Sequence, residues 1–95
     1  MDLKGFCAIK FEAKWCGPCK AFEPNLKKIQ SEFTAFKFIT VNIDDDPQLA
    51  KQYKIRSLPT VILLKDGNEI GRVTGAVLLE PLRKVFRDAL AKQAA

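Results

Sequence analysis

Phe6-Cys7-Ala8-Ile9-Lys10-Phe11-Glu12-Ala13-Lys14-Trp15-Cys16-Gly17-Pro18-Cys19 joins an alternating segment to two cysteines separated by two residues. Side chains of an extended chain alternate between faces. Cys7, Ile9 and Phe11 therefore share one side, and Phe6, Ala8, Lys10 and Glu12 the other. This reads as a strand over 6–12 that runs into a loop carrying Trp15 and the cysteine pair. Beyond it, Phe22, Leu26, Ile29 and Phe33 recur at helical spacing, so the cysteines stand at the start of a helix that reaches about Phe33. Pro24 falls inside that helix, removes one backbone bond and predicts a kink.

The alternation resumes over Phe36 to Ile43. There Phe36, Phe38, Thr40 and Asn42 oppose Lys37, Ile39, Val41 and Ile43. Strand, helix, strand requires a parallel pair with a right-handed crossover. Asp44-Asp45-Asp46-Pro47 suits a helix start, with Asp46 as the cap and Pro47 at the first position. A short helix to about Tyr53 follows. Thr60 to Lys65 is a third strand, and Asp66-Gly67 signals a hairpin whose return strand spans Glu69 to Thr74. Leu82, Val85, Phe86, Ala89 and Leu90 form the apolar stripe of a last helix over 79–92. The fold class is α/β: βαβ followed by ββα, a mixed four-stranded sheet with helices on both faces, in a single domain over 1–95.

The 95 residues are 47% hydrophobic and 28% charged, the balance of a globular protein rather than a disordered tail. The longest apolar run, Val61-Ile62-Leu63-Leu64, suits a buried strand and is far short of a membrane span. Charges break up the N-terminal residues too early for a signal-peptide core. The cytoplasm is the expected compartment, where thiols stay reduced. The net charge is +5 with no histidine. Its lysines and arginines are scattered, without the basic block or interleaved aromatics of a nucleic-acid surface, and read as a solvated exterior that steers acidic partners.

Two cysteines at a helix start are competent for redox chemistry. Unpaired N–H groups and the positive helix end both favour a thiolate. In such a motif the first cysteine is expected to be the exposed one, which makes Cys16 the nucleophile and Cys19 the resolving thiol. Pro18 between them removes a donor and stiffens the turn. Two other readings stay open at this point. One Cys-x-x-Cys is half of a structural zinc site, with Cys7 the only other cysteine. A static disulfide is the other, unusual in the cytoplasm. Cys7, in line with Ile9 and Phe11, reads as core packing.

Phe11-Glu12-Ala13-Lys14-Trp15-Cys16-Gly17-Pro18-Cys19-Lys20 resembles the active-site segment of thioredoxins. The likeness continues through Pro24, Val41-Asn42-Ile43-Asp44, Tyr53-Lys54-Ile55-Arg56-Ser57-Leu58-Pro59-Thr60, Lys65-Asp66-Gly67 and Thr74-Gly75-Ala76. The resemblance implies a cis Pro59 lying against the cysteine pair. It also implies an apolar patch of Trp15, Gly17, Pro18, Leu58, Pro59, Gly75 and Ala76 that accepts a protein substrate, with the Leu58 backbone pairing to the substrate like an added strand.

Two departures from the family pattern stand out. Thioredoxins usually begin with a further strand and helix, so this chain is expected to be a trimmed, four-stranded form. The strand over Phe36–Ile43 is then a sheet edge, guarded in part by Lys37. The family also carries a buried aspartate where this chain has Lys10, a carboxylate that helps move the proton of the resolving cysteine. The lysine often found across from it is Thr40 here, and the tryptophan two residues on is Glu12. Lys10 and Glu12 point the same way. They can pair, with Glu12 or water taking over the proton transfer. Lys10 can instead lie near Cys19 and favour its thiolate. Or both can be ordinary charges on a wet face.

The expected function is general protein-disulfide reduction and electron carriage by Cys16 and Cys19, through a mixed disulfide. The resemblance implies no bound cofactor and no metal. NADPH acts only indirectly, through a flavoenzyme of the thioredoxin-reductase type, and clients such as ribonucleotide reductase fit this class. The chain is expected to be monomeric, away from nucleic acid and membranes. A glutathione-dependent, glutaredoxin-like reductase is one alternative, although Pro-Tyr is commoner between its cysteines. A binding subunit with dispensable cysteines is another.

Overall fold

The computed structural model describes residues 1–94. In chain order it contains β1 (Phe6–Glu12), α1 (Gly17–Glu32), β2 (Phe36–Asn42), α2 (Pro47–Gln52), β3 (Thr60–Lys65), β4 (Asn68–Thr74) and α3 (Leu79–Ala94). The strands form one mixed sheet in the order β2-β1-β3-β4. β1 runs parallel to β2, with Phe6 opposite Phe36 and Glu12 opposite Asn42. β3 is antiparallel to both β1 and β4. The α/β class and the mixed four-stranded sheet are as the element order predicts, with β2 on an edge. Lys37 on that edge donates from Nζ to the Asp2 carbonyl at 2.5 Å.

The period-2 pattern of β1 divides the core into two layers. On one face, Ala8 packs with Phe22, Leu26 and Ile29 of α1 and with Leu82, Phe86 and Ala89 of α3. On the other, Cys7, Ile9 and Phe11 pack with Val41, Ile62 and Leu64 under Leu49, Ala50 and Tyr53 at α2. Helices thus cover both faces. Phe86 anchors the larger layer, stacking on Phe38 at 5.8 Å between ring centroids and meeting Phe36 edge-on at 5.1 Å. Burying one such ring stabilises the fold by roughly 1.5–3 kcal/mol.

Local chemistry sets the ends of the elements. Asp46 caps α2 by accepting the Leu49 N–H at 3.1 Å, with Pro47 in the first turn. Asp66 and Gly67 both take positive φ, 50° and 84°, as a two-residue hairpin turn requires. The return strand starts one residue before the expected Glu69 and contains a bulge, because Leu64 faces Glu69 while Leu63 faces Gly71. Gly71 sits beneath α3, where a Cβ would lie 3.3 Å from Leu63 Cδ1 and 3.8 Å from the Ala89 Cβ. The helix at Pro24 runs unbroken from Gly17 to Glu32.

Candidate active site

Because β1 and β2 are parallel, their C-terminal ends meet at one edge of the sheet, joined there by the Ile43 N–H donating to the Glu12 carbonyl at 2.9 Å. The loop after β1 delivers Trp15 and Cys16, and α1 begins at Gly17. Cys16 is the residue that caps α1. Its Sγ accepts the backbone N–H of Cys19 at 3.1 Å. Sulfur therefore occupies the place where a serine or aspartate oxygen ordinarily satisfies the first free amides of a helix. The two cysteines are joined as a disulfide, with their Cα atoms 5.3 Å apart.

The expectation that Cys16 is the exposed member of the pair does not survive as a statement of area. Cys16 is 4% exposed and Cys19 3%. Ala13 packs against both, with Ile43 and Leu58 closing over them. The difference lies in direction. Cys16 lines a groove of about 380 Å³ with Trp15, Gly17, Pro18 and Leu58. Cys19 lines a separate cavity of about 390 Å³, with Glu12, Lys14, Lys20 and Glu23. One sulfur faces a docking groove and the other faces a polar recess.

The groove has an apolar floor and a fixed aromatic wall. Trp15 is 69% exposed, and its indole N–H donates to Asp44 Oδ2 at 3.0 Å. Leu58–Pro59 is a cis peptide. Pro59 is fully buried, and its carbonyl accepts the Gly75 N–H at 2.8 Å, which ties the loop after β4 to the site. Thr60 Oγ1 donates to the Ser57 carbonyl at 2.7 Å and closes the turn before β3. Of the expected substrate patch, Pro59, Gly75 and Ala76 do not line the groove. Ile43, Ile55, Arg56 and Ser57 do line it, and sequence reasoning passed them over. The signal for Asp44 and Ile43 was present, since parallel pairing of β1 and β2 obliges the residues after both strands to meet. Arg56 and Ser57 carried no such signal.

Behind the disulfide, Lys10 is only 5% exposed, and its Nζ lies 2.6 Å from Glu12 Oε1. The two form an ion pair, and the reading of both as ordinary surface charges is overturned by the burial of Lys10. A charge this deep needs a partner, and no buried side-chain polar atom among the described residues lacks one. Lys10 also lines a smaller cavity of about 140 Å³ with Glu12, Glu23, Lys27, Gln30 and Thr40. Cys7 lies in the α2-side core, remote from the pair. The three cysteines do not converge, and the described residues contain no group of three or more His, Cys, Asp or Glu side chains suited to a metal ion. No helix among them is long and apolar enough to cross a membrane.

Comparison with known proteins bears on the whole of this arrangement. The thioredoxin family model matches residues 2–88. A thioredoxin of Chlamydia caviae is 48% identical over 71 residues, covering 75% of this chain and 70% of that protein. Thioredoxin H2-1 of rice is 40% identical over 68 residues, 72% of this chain and about half, 49%, of the relative. Among solved structures, thioredoxin from Trypanosoma brucei brucei superposes with a TM-score of 0.84 at 34% identity, covering 93% of this chain and 77% of that one.

Proposed function

Because this chain belongs to the thioredoxin family, it is a thiol–disulfide oxidoreductase that reduces protein disulfides, and we propose that Cys16 is its attacking thiol and Cys19 its resolving thiol. The observation that supports this division of roles is the N–H of Cys19 donating to Cys16 Sγ at the mouth of the groove. In the reduced protein the same amide and the positive end of α1 favour negative charge on that sulfur. The Cys16 thiolate attacks one sulfur of a client disulfide, and the client's other sulfur leaves as a thiolate. Cys19, one helical turn on, then gives up its proton and attacks Cys16 Sγ. The mixed disulfide breaks, the client departs with both sulfurs reduced, and Cys16–Cys19 holds the oxidised pair.

The groove supplies the docking. Trp15, Pro18 and Leu58 give it apolar surface, and the Leu58 backbone pairs with an extended client segment. Pro59 is buried beneath that loop and tied to the Gly75 N–H, and Ala76 follows as an exposed residue. The Cys16–Cys19 disulfide is reduced back to the dithiol by a flavoenzyme reductase drawing on NADPH, so the chain works without a cofactor of its own. Disulfide-forming enzymes such as ribonucleotide reductase are suitable clients, and the cytoplasm is the suitable compartment.

Insulin reduction with dithiothreitol tests the assignment. The wild type is expected to accelerate it, Cys16→Ser to abolish the acceleration, and Cys19→Ser to accumulate a covalent mixed disulfide visible by mass spectrometry. A wild-type rate no higher than dithiothreitol alone overturns the reductase reading. A Cys16→Ser protein that still forms the mixed disulfide reverses the roles of the two sulfurs.

A further inference from the structure

The resolving step needs somewhere for a proton to go. Cys19 is 3% exposed, so its thiol cannot hand a proton freely to bulk water. What it faces is the recess lined by Glu12, Lys14, Lys20 and Glu23. That recess and the smaller cavity around Lys10 share Glu12 and Glu23 as walls. Together they lead from Cys19 past Lys10 and Lys27 toward Thr40 on the β2 edge.

Of the two carboxylates, only Glu12 is held. It ends β1 opposite Asn42, its backbone carbonyl is bonded to Ile43, and Lys10 Nζ lies 2.6 Å from its Oε1. Glu23 is exposed on α1 and has no cation within ion-pair distance among the described residues. We propose that Glu12 is the proton acceptor for the Cys19 thiol, and that buried Lys10 is the positioning residue that holds the Glu12 carboxylate at the recess. This rests on the reductase reading above.

The step balances as follows. In the mixed disulfide, Cys19 Sγ–H gives its proton to the free Glu12 oxygen, directly or through water in the recess. The resulting thiolate attacks Cys16 Sγ, a new Sγ–Sγ bond forms, and the bond to the client breaks. The client sulfur leaves with the electron pair. Glu12 then releases its proton along the same polar path. Lys10 from β1, Lys14 from the loop, and Lys20 and Lys27 from α1 surround the carboxylate with positive charge, against Glu23 alone. Lys10 does not touch the reacting sulfurs and acts only through Glu12.

The test separates the two chemical steps by rapid quenching of the full chain with an alkylating reagent and an insulin disulfide as client. Glu12→Gln is expected to form the mixed disulfide at the wild-type rate. Its resolution near neutral pH is expected to slow by roughly tenfold to a hundredfold, the low end of what a positioned base supplies. The deficit is expected to shrink as the pH is raised into the alkaline range, where hydroxide can take the proton in place of the carboxylate. Glu23→Gln is expected to match the wild type. Should the unpaired Lys10 prevent Glu12→Gln from folding, Lys10→Met/Glu12→Gln removes both charges of the pair, and the same deficit is expected of it. Resolution at the wild-type rate across the pH range overturns the proposal, as does a deficit that appears in Glu23→Gln instead. A wild type that forms no mixed disulfide overturns the reductase reading and this inference with it.

Discussion

Trp15 keeps most of its indole in water while Asp44 fixes the ring's orientation through a single hydrogen bond. A large aromatic held rigid and exposed is suited to anchor a partner, because it adds contact area without losing much conformational freedom on binding. It adds little to the fold, since it packs against no core cluster. Trp15→Ala is therefore expected to lower kcat/KM for insulin by about tenfold, corresponding to about 1.4 kcal/mol of lost docking. The unfolding midpoint should barely move, and reduction of a small aromatic disulfide should be far less affected. Steady-state assays on both substrates, beside a thermal melt, check this. Equal losses on both substrates would place the indole's effect on the cysteine chemistry instead. Asp44 could have been inferred from the sequence, because parallel pairing of two predicted strands brings the residues after them together. The depth of Lys10 could not. Alternation put it on the α1 face with Glu12, but only packing by Leu26 and Phe38 decides whether that part of the face is wet or dry.

At the scale of elements, α3 is held to the sheet through Phe86. The ring is fully buried and meets Phe33 at 5.3 Å, Phe36 at 5.1 Å and Phe38 at 5.8 Å between centroids. It therefore joins the end of α1, edge strand β2 and α3 in one contact. Phe86→Ala is expected to lower stability by roughly 3–5 kcal/mol, a large share of what a domain of this size possesses. Phe86→Leu, which keeps most of the volume, should cost less than half as much. Urea unfolding of both variants gives the comparison, and a loss below about 1 kcal/mol for the alanine would mean that α3 is held elsewhere. Elements of this kind were readable where the signal is local. The Asp46-Pro47 helix start, the Asp66-Gly67 turn and the Phe22/Leu26/Ile29 stripe each sit within a few residues of the structure they specify. The bulge that leaves Ile70 between paired neighbours was not readable, because it arises where β4 passes under α3 and Gly71 gives up its side chain to that approach. The floor of the groove was missed for the same reason. Ile55, Arg56 and Ser57 reach it only because the turn before β3 folds back over the cysteines.

The molecule as a whole carries sixteen lysines and arginines against eleven acidic residues. Its stability toward acid therefore depends on what the carboxylates do when ionised. The clearest case is the clasp between the helices of the larger layer. Arg83 of α3 donates from Nε and Nη2 to the two oxygens of Glu32 at the end of α1, both at 2.7 Å, and also pairs with Glu80. The hydrogen bonds from Arg83 hold the Glu32 carboxyl below its ordinary value of 4.5, and Arg83 is raised in return. The sign of the pH effect follows. A carboxyl whose folded value is depressed contributes stability above its unfolded value, and loses that contribution as pH falls through the folded one. Protonation of the remaining carboxylates at the same time leaves the cations unopposed, which acts in the same direction. Glu32→Gln is expected to be less stable than the wild type near neutral pH, with the gap closing as pH falls through the depressed folded value of Glu32. Because both side chains of the clasp are partly solvated, added salt should narrow the neutral-pH gap. Urea midpoints measured at neutral and acid pH, with and without salt, read all three effects. A Glu32→Gln gap that persisted unchanged into acid would mean that Glu32 holds the helices by packing rather than by charge.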